Sequence, residues 1–116
     1  MTIAVSSNTA WSLFNFRRGL IDALRKRGER VVIIAPPDAF SARLSAMGCE
    51  VIDLPIDNKG SNPLRDAASM LAFRRLYRQI RPDIALHYTI KPVIYGSLAA
   101  RSLGIPVINV ITGLKQ

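Results

Sequence analysis

The chain has 116 residues, 49% of them hydrophobic, which suits one domain with a modest core and excludes a disordered segment. Sixteen Lys and Arg against eight Asp and Glu leave a net charge of +8, a balance that favours anionic partners such as phosphates, nucleic acid or an anionic membrane surface. One cysteine, Cys49, excludes an internal disulfide and a zinc site, and no apolar run approaches the roughly 20 residues of a spanning helix. The opening TIAVSS is too short and uncharged for an export signal, so the chain reads as cytoplasmic.

Residues 3–6 form a short buried strand, followed by the polar loop Ser7-Asn8-Thr9. Ser12 can cap a helix whose apolar stripe is Leu13, Phe16, Leu20 and Leu24, with Gly28 as its stop. The run RVVIIA at 30–35 is apolar and β-branched, the pattern of a strand covered on both faces. Pro36-Pro37 breaks it, and Asp38 can cap a second helix with Phe40, Leu44 and Met47 inward and Gly48 as its stop. Residues 50–54 form a third strand, and 55–62 (PIDNKGSN) the longest polar loop. Asn62 then Pro63 is a helix start, with Met70, Phe73, Tyr77 and Ile80 as the inward face and Arg81-Pro82 as the end. Residues 83–86 form the fourth strand, a helix runs from Pro92 to Leu103-Gly104, and 107–111 form the fifth strand.

The resulting βαβαβαβαβ pattern predicts an α/β fold, a Rossmann-like doubly wound parallel sheet of five strands with helices on both faces. Right-handed crossovers make 3-2-1-4-5 the simplest order. In that order the chain reverses between strands one and four, and ligands bind outside the carboxyl ends of the strands at such a point. The crevice is then flanked by the loop 7–12 and the turn 87–91.

Absent motifs narrow the chemistry. The loop SSNTAWS has no G-x-G-x-x-G, and the chain has neither a G-x-x-x-x-G-K-[ST] phosphate loop nor a G-x-S-x-G elbow. Ser6, Ser7 and Asn8 cannot hold a metal ion as clustered acids do, and one His with one Cys argues against a metal site or a Cys–His nucleophile. His87 either handles a proton at the crevice or packs at a strand end, and in extended backbone Tyr88 points to the opposite side. Lys91, beside a helix N-terminus that is already positive, is unfavourable without a nearby anion; phosphate contact and a solvated surface lysine are both open.

Asn8 and Thr9 offer short hydrogen-bonding groups or simply make the turn. Trp11 either stacks on a sugar or lids the core, and Lys59 belongs to a loop able to cover substrate. Arg25, Lys26, Arg27 and Arg30, with Arg74, Arg75, Arg78 and Arg81, fall at helix ends away from the crevice. There they complement helix dipoles and, lacking interleaved aromatics, argue against nucleic acid; peripheral contact with anionic lipid stays open.

Three stretches together, TIAVSSNTAWSLFNFRRGLIDALRKRGERVVIIAPPD, DNKGSNPLRD and YTIKPVIYGSLAARSLGIPVINVITGL, resemble the N-terminal domain of GT-B glycosyltransferases. They are most similar to family-4 enzymes that build bacterial lipopolysaccharide and capsule. The resemblance covers essentially the whole chain. It implies that residues 1–116 are an N-terminal Rossmann-like acceptor-binding domain whose nucleotide-sugar-binding C-terminal partner lies outside this chain. It implies transfer of a sugar from a nucleotide-sugar donor to a lipid-linked glycan, without metal or cofactor and at the inner face of the cytoplasmic membrane. The chain alone is then expected to be inactive.

Aligned through T-x-K, Tyr88 stands where many relatives have a histidine, Thr89 and Lys91 match, and Thr112 and Gly113 fall in the matching TGL run. Asn8 and Thr9 replace paired glycines near the donor phosphates. The resemblance assigns no catalytic residue here. A nucleotide-sugar epimerase of the same architecture and a stand-alone flavodoxin-like binding module are the rival expectations.

Overall fold

The computed structural model describes residues 1–56 and 63–110. In chain order the elements are β1 (Thr2–Ser6), α1 (Ala10–Phe16), α2 (Arg18–Lys26), β2 (Arg30–Ala35) and α3 (Ser41–Ala46). They continue with β3 (Glu50–Asp53), α4 (Pro63–Ile80), β4 (Ile84–Tyr88), α5 (Ile90–Ser102) and β5 (Val107–Val110). All four strand pairings are parallel and the order is β3-β2-β1-β4-β5, the doubly wound sheet expected from the sequence.

Strand alternation divides the core in two. Ile3, Val5, Val31, Ile33, Leu86 and Tyr88 face Leu13, Ile21 and Leu44 of α1, α2 and α3. Ala4, Val32, Ile34 and Ala85 face Phe73 and Tyr77 of α4 and Tyr95, Ala99 and Ala100 of α5. Residues 31–35 of β2 are buried throughout, as a strand covered on both faces must be. The two arginine-rich helix ends, on α2 and on α4, therefore lie on opposite faces.

The structure departs from the sequence reading in four places. The first helix is two, meeting at Arg17 (φ −122°, ψ 9°), and its cap is Thr9, whose Oγ1 accepts the Ser12 N–H at 3.0 Å. Phe16 and Leu20 are exposed, while the inward stripe runs through Ala10, Leu13, Phe14, Ile21 and Leu24. That stripe was hidden because Arg17 sits at its centre, where the guanidinium lies 4.5 Å from the centre of the Tyr88 ring.

The second helix is shorter than expected and Asp38 precedes it, accepting the Phe40 N–H at 2.7 Å rather than capping the first turn. β4 runs on to Tyr88 instead of ending at Leu86, because both nitrogens of His87 are satisfied within the fold. α5 begins at Ile90, with Pro92 in its third position, where no intrahelical partner awaits an N–H.

Candidate functional site

The sheet order places the turn after β1 beside the turn after β4, and one hydrogen bond joins them directly. The Asn8 N–H donates to Thr89 Oγ1 at 3.1 Å, and the Thr89 hydroxyl in turn donates to the Tyr88 carbonyl. Thr89 holds φ 72° and ψ 161°, a region almost confined to glycine, at a cost of about 1–3 kcal/mol. It makes no side-chain cap to α5; its carbonyl accepts the Val93 N–H at 3.1 Å. The side chain is instead committed to holding the two turns together.

The β1 turn is internally built. Ser7 and Ser12 hydroxyls meet at 2.8 Å, Ser12 Oγ donates to the Thr9 carbonyl at 3.0 Å, and Thr9 caps α1. Trp11 follows, 47% exposed, its ring edge-on to Phe16 at 5.4 Å between centres. The Trp11 backbone N–H donates to Asp38 Oδ2 at 3.0 Å, so the turn after β2 also anchors this edge. Sequence reasoning gave Asp38 only a capping role; its signal was an acid directly after Pro36-Pro37 at a strand's carboxyl end.

Lys91 has the anion its position calls for. Its Nζ lies 3.3 Å from Asp66 Oδ1, on the first turn of α4, and 3.2 Å from Tyr95 Oη. The Tyr95 hydrogen bond, then the Asp66 carboxylate, raise the ammonium's pKa against a lowering by burial. Asp66 itself is well placed at a helix N-terminus. Burial raises the Tyr95 phenol's pKa.

His87 and Tyr88 belong to the sheet rather than to an open turn. His87 is fully buried on the α4–α5 face. Asn109 Oδ1 is 2.9 Å from Nδ1 and accepts its proton; Nε2 then accepts from the Tyr77 hydroxyl at 2.7 Å. Ser97 Oγ donates to the same Asn109 oxygen at 2.9 Å. Burial lowers the His87 pKa and so favours the neutral ring, and the Asn109 bond opposes that shift. The Ser6 hydroxyl, across from His87 in the β1–β4 register, is buried without a hydrogen bond of good geometry. Of the two readings open from sequence, the structure gives the packed one.

Tyr88 points to the other face, under Arg17, and is 5% exposed; burial raises its phenol's pKa and Arg17 opposes the rise. Asn8, Thr9, Trp11, Thr89 and Lys91 thus share the crevice edge. Lys59, Thr112 and Gly113 lie outside the described residues. Among the described residues no cluster of three metal-ligating side chains occurs.

The model of the family described as "Glycosyl transferase 4-like" matches residues 2–115. A curated relative is N,N'-diacetylbacillosaminyl-diphospho-undecaprenol alpha-1,3-N-acetylgalactosaminyltransferase of Campylobacter jejuni, 26% identical over 106 residues. That alignment takes in 91% of this chain but only 28% of the relative, so this chain spans less than a third of that enzyme's length.

Among solved structures, MurG of Acinetobacter baumannii superposes with a TM-score of 0.72 at 23% identity, covering 95% of this chain and 33% of that one. The UDP-GlcNAc 2-epimerase of Methanocaldococcus jannaschii gives 0.70 at 18% identity, covering 100% of this chain and 33% of that one. A glycosyltransferase of Rickettsia africae gives 0.75 at 16% identity, covering 93% and 29%. At these identities the structural likeness speaks to the fold.

Proposed function

From a chain that belongs to the glycosyl transferase 4-like family, we propose the acceptor-binding half of an enzyme that transfers a sugar from a nucleotide sugar to a lipid-linked surface glycan. The observation that carries the site is the Asn8–Thr89 hydrogen bond, which fixes the β1 and β4 turns as one wall at the sheet's switch point. Strain at Thr89 is retained only where the surroundings hold it, a mark of pre-organised functional turns. The lipid-linked acceptor is supported by the Campylobacter jejuni relative, whose name places its acceptor on diphospho-undecaprenol. A second domain would supply the nucleotide-sugar site, and the donor's phosphates would be stabilised by positive groups and helix ends without a metal ion.

The test is sugar transfer from nucleotide sugars to an undecaprenyl-diphosphate-linked glycan, assayed with this chain and with a full-length protein carrying it. Transfer by the full-length protein and none by residues 1–116 is expected; turnover by residues 1–116 alone would refute the division of labour. In the full-length protein, Lys91→Ala is expected to lower turnover more than it lowers the melting temperature. Unchanged activity with reduced thermal stability would make Lys91 structural. The epimerase-like fold matches support one competing reading, the N-terminal half of a nucleotide-sugar epimerase. Free isomerised nucleotide sugar, with no glycoside formed, would select it.

A further inference from the structure

Phe14 of α1 and Phe40, in the turn before α3, form the centre of a cluster that the crevice does not use. Their ring centres lie 5.5 Å apart, and both rings pack partly buried against the core of that face. Two exposed arginines sit on them. The Arg18 guanidinium carbon is 4.8 Å from the centre of the Phe14 ring. That of Arg43 is 5.6 Å from Phe14 and 4.9 Å from Phe40. Arg17 stacks similarly on Tyr88, but there the ring belongs to the core and the cation is its lid.

A guanidinium that stacks on a ring spends its face and keeps the N–H groups of its edge. At Arg18 and Arg43 those groups are unspent. Neither makes an ion pair among the described residues, where the guanidinium hydrogen bonds belong to Arg30 and Arg74. The acids at hand are committed elsewhere. Asp22, one turn along α2 from Arg18, is taken by Lys26 Nζ at 3.1 Å. Asp38, two residues before Phe40, has its two oxygens on the backbone N–H groups of Trp11 and Phe40. Two cations are thus brought to one ring with no carboxylate against them, and they repel each other.

Dipole compensation accounts for Arg43, in the last turn of α3. It does not account for Arg18, which opens α2 at the end where a cation is disfavoured. An anion that bridges the pair relieves both the repulsion and the misplacement. A lone carboxylate presents two oxygens and suits one guanidinium fork. A diphosphate spreads its outer oxygens over two phosphorus atoms and can meet two forks at once.

The geometry points to Arg18 and Arg43, seated on Phe14 and Phe40, as a binding site for a diphosphate group. The site adjoins the crevice without being part of it, since Asp38 ties Phe40 to Trp11 through their N–H groups. This goes beyond the transfer reading and fails separately from it. A full-length protein that transfers sugar but takes no diphosphate at these arginines would overturn only this site.

The experiment is titration calorimetry of the 116-residue chain with inorganic pyrophosphate at about 0.1 M salt, where long-range attraction is largely screened. One saturable site is expected. Arg18→Gln with Arg43→Gln should weaken it about twentyfold, the loss of two cations at about fivefold each. Arg75→Gln with Arg78→Gln, the same charge change on α4, should weaken it less than about threefold, and so should Lys91→Gln at the crevice. Phe14→Leu leaves the net charge alone but removes the seat of both guanidinium groups, and should weaken binding about fivefold. Geranyl diphosphate and uridine diphosphate carry the same group and should compete; the tighter of them identifies its source. The proposal is overturned by no saturable binding, by equal weakening from the Arg75 and Arg78 changes, or by loss through Lys91→Gln. Binding unchanged in Phe14→Leu, or competition by neither diphosphate, would overturn it as well.

Discussion

Gly96 is where the core leaves no room for another atom. It lies on the buried side of α5, and a Cβ there would stand 2.6 Å from His87 Cδ2 and nearer still to Nε2. In an exposed helix interior, Gly→Ala gains about 1 kcal/mol in helix propensity. Here the ring opposite is fully buried and hydrogen-bonded at both nitrogens, so it can retreat only by giving up Tyr77 or Asn109. Overpacking costs about 1–3 kcal/mol, and a buried polar group left unpaired about 1–3 more. Less the helical gain, Gly96→Ala should destabilise by about 3 kcal/mol. In urea, at a slope of about 2 kcal/mol per molar, the midpoint falls by roughly 1.5 M.

The control is a double-mutant cycle. In a His87→Ala background the methyl enters vacated space, and the same change should be neutral or stabilising by up to about 1 kcal/mol. If Gly96→Ala is as stable as the parent with His87 present, the close approach and the role given to the ring are both wrong.

Further predictions concern the same turns and ring. Burial holds the His87 pKa below its ordinary value of 6.5, so the unfolded chain takes up the proton first as pH falls. Its contribution to stability is complete above pH 6.5 and is lost as pH falls through the lower folded-state value. Urea midpoints at pH 7.5, 6 and 5 should show that loss, and His87→Gln should flatten it. Thr89→Gly relieves about 1–3 kcal/mol of backbone strain and forfeits about 1 kcal/mol of hydrogen bonding. It should therefore unfold at or above the urea midpoint of Thr89→Val, which keeps the strain and loses the bonds; the reverse order would show that φ at Thr89 is unstrained. Asp38→Ala unpairs the Trp11 and Phe40 N–H groups at an exposed site and should cost about 1 kcal/mol by thermal melting.

The sheet was legible because its signals are local and repeated. β-branched runs, helix stops at Gly28 and Gly48, and the Arg81-Pro82 break all specify elements without reference to partners. Strand order then followed from handedness. What stayed hidden depends on pairs distant in sequence. Arg17 masked the inward stripe of the first helix because its cover, Tyr88, is 71 positions away. His87 drew notice as the sole imidazole, yet its environment is set by Tyr77 and Asn109, neither of which carries a local signal pointing to it. Lys91 shows the reverse case: its position at a helix N-terminus called for an anion, and Asp66 on the neighbouring helix supplies one. The rule was visible in the sequence, while the identity of the anion required the packing of α4 against α5.

The groups at the crevice edge bear on the division of labour proposed for the full-length enzyme. The imidazole is withdrawn into the core and hydrogen-bonded at both nitrogens. Among the described residues, two carboxylates nearby are engaged, Asp38 by backbone N–H groups and Asp66 by Lys91. The two turns contribute hydroxyl and amide groups, with the Trp11 ring beside them. That inventory suits recognition of a hydroxyl-rich ligand more than proton transfer, since hydroxyls and amides titrate far from neutral pH. A fixed wall also favours recognition, because the Asn8–Thr89 bond and the strained backbone it retains are settled before any ligand arrives. The fold is shared with epimerases and transferases alike, so under the proposed two-domain reading the reaction would be decided by what a facing domain brings to this wall.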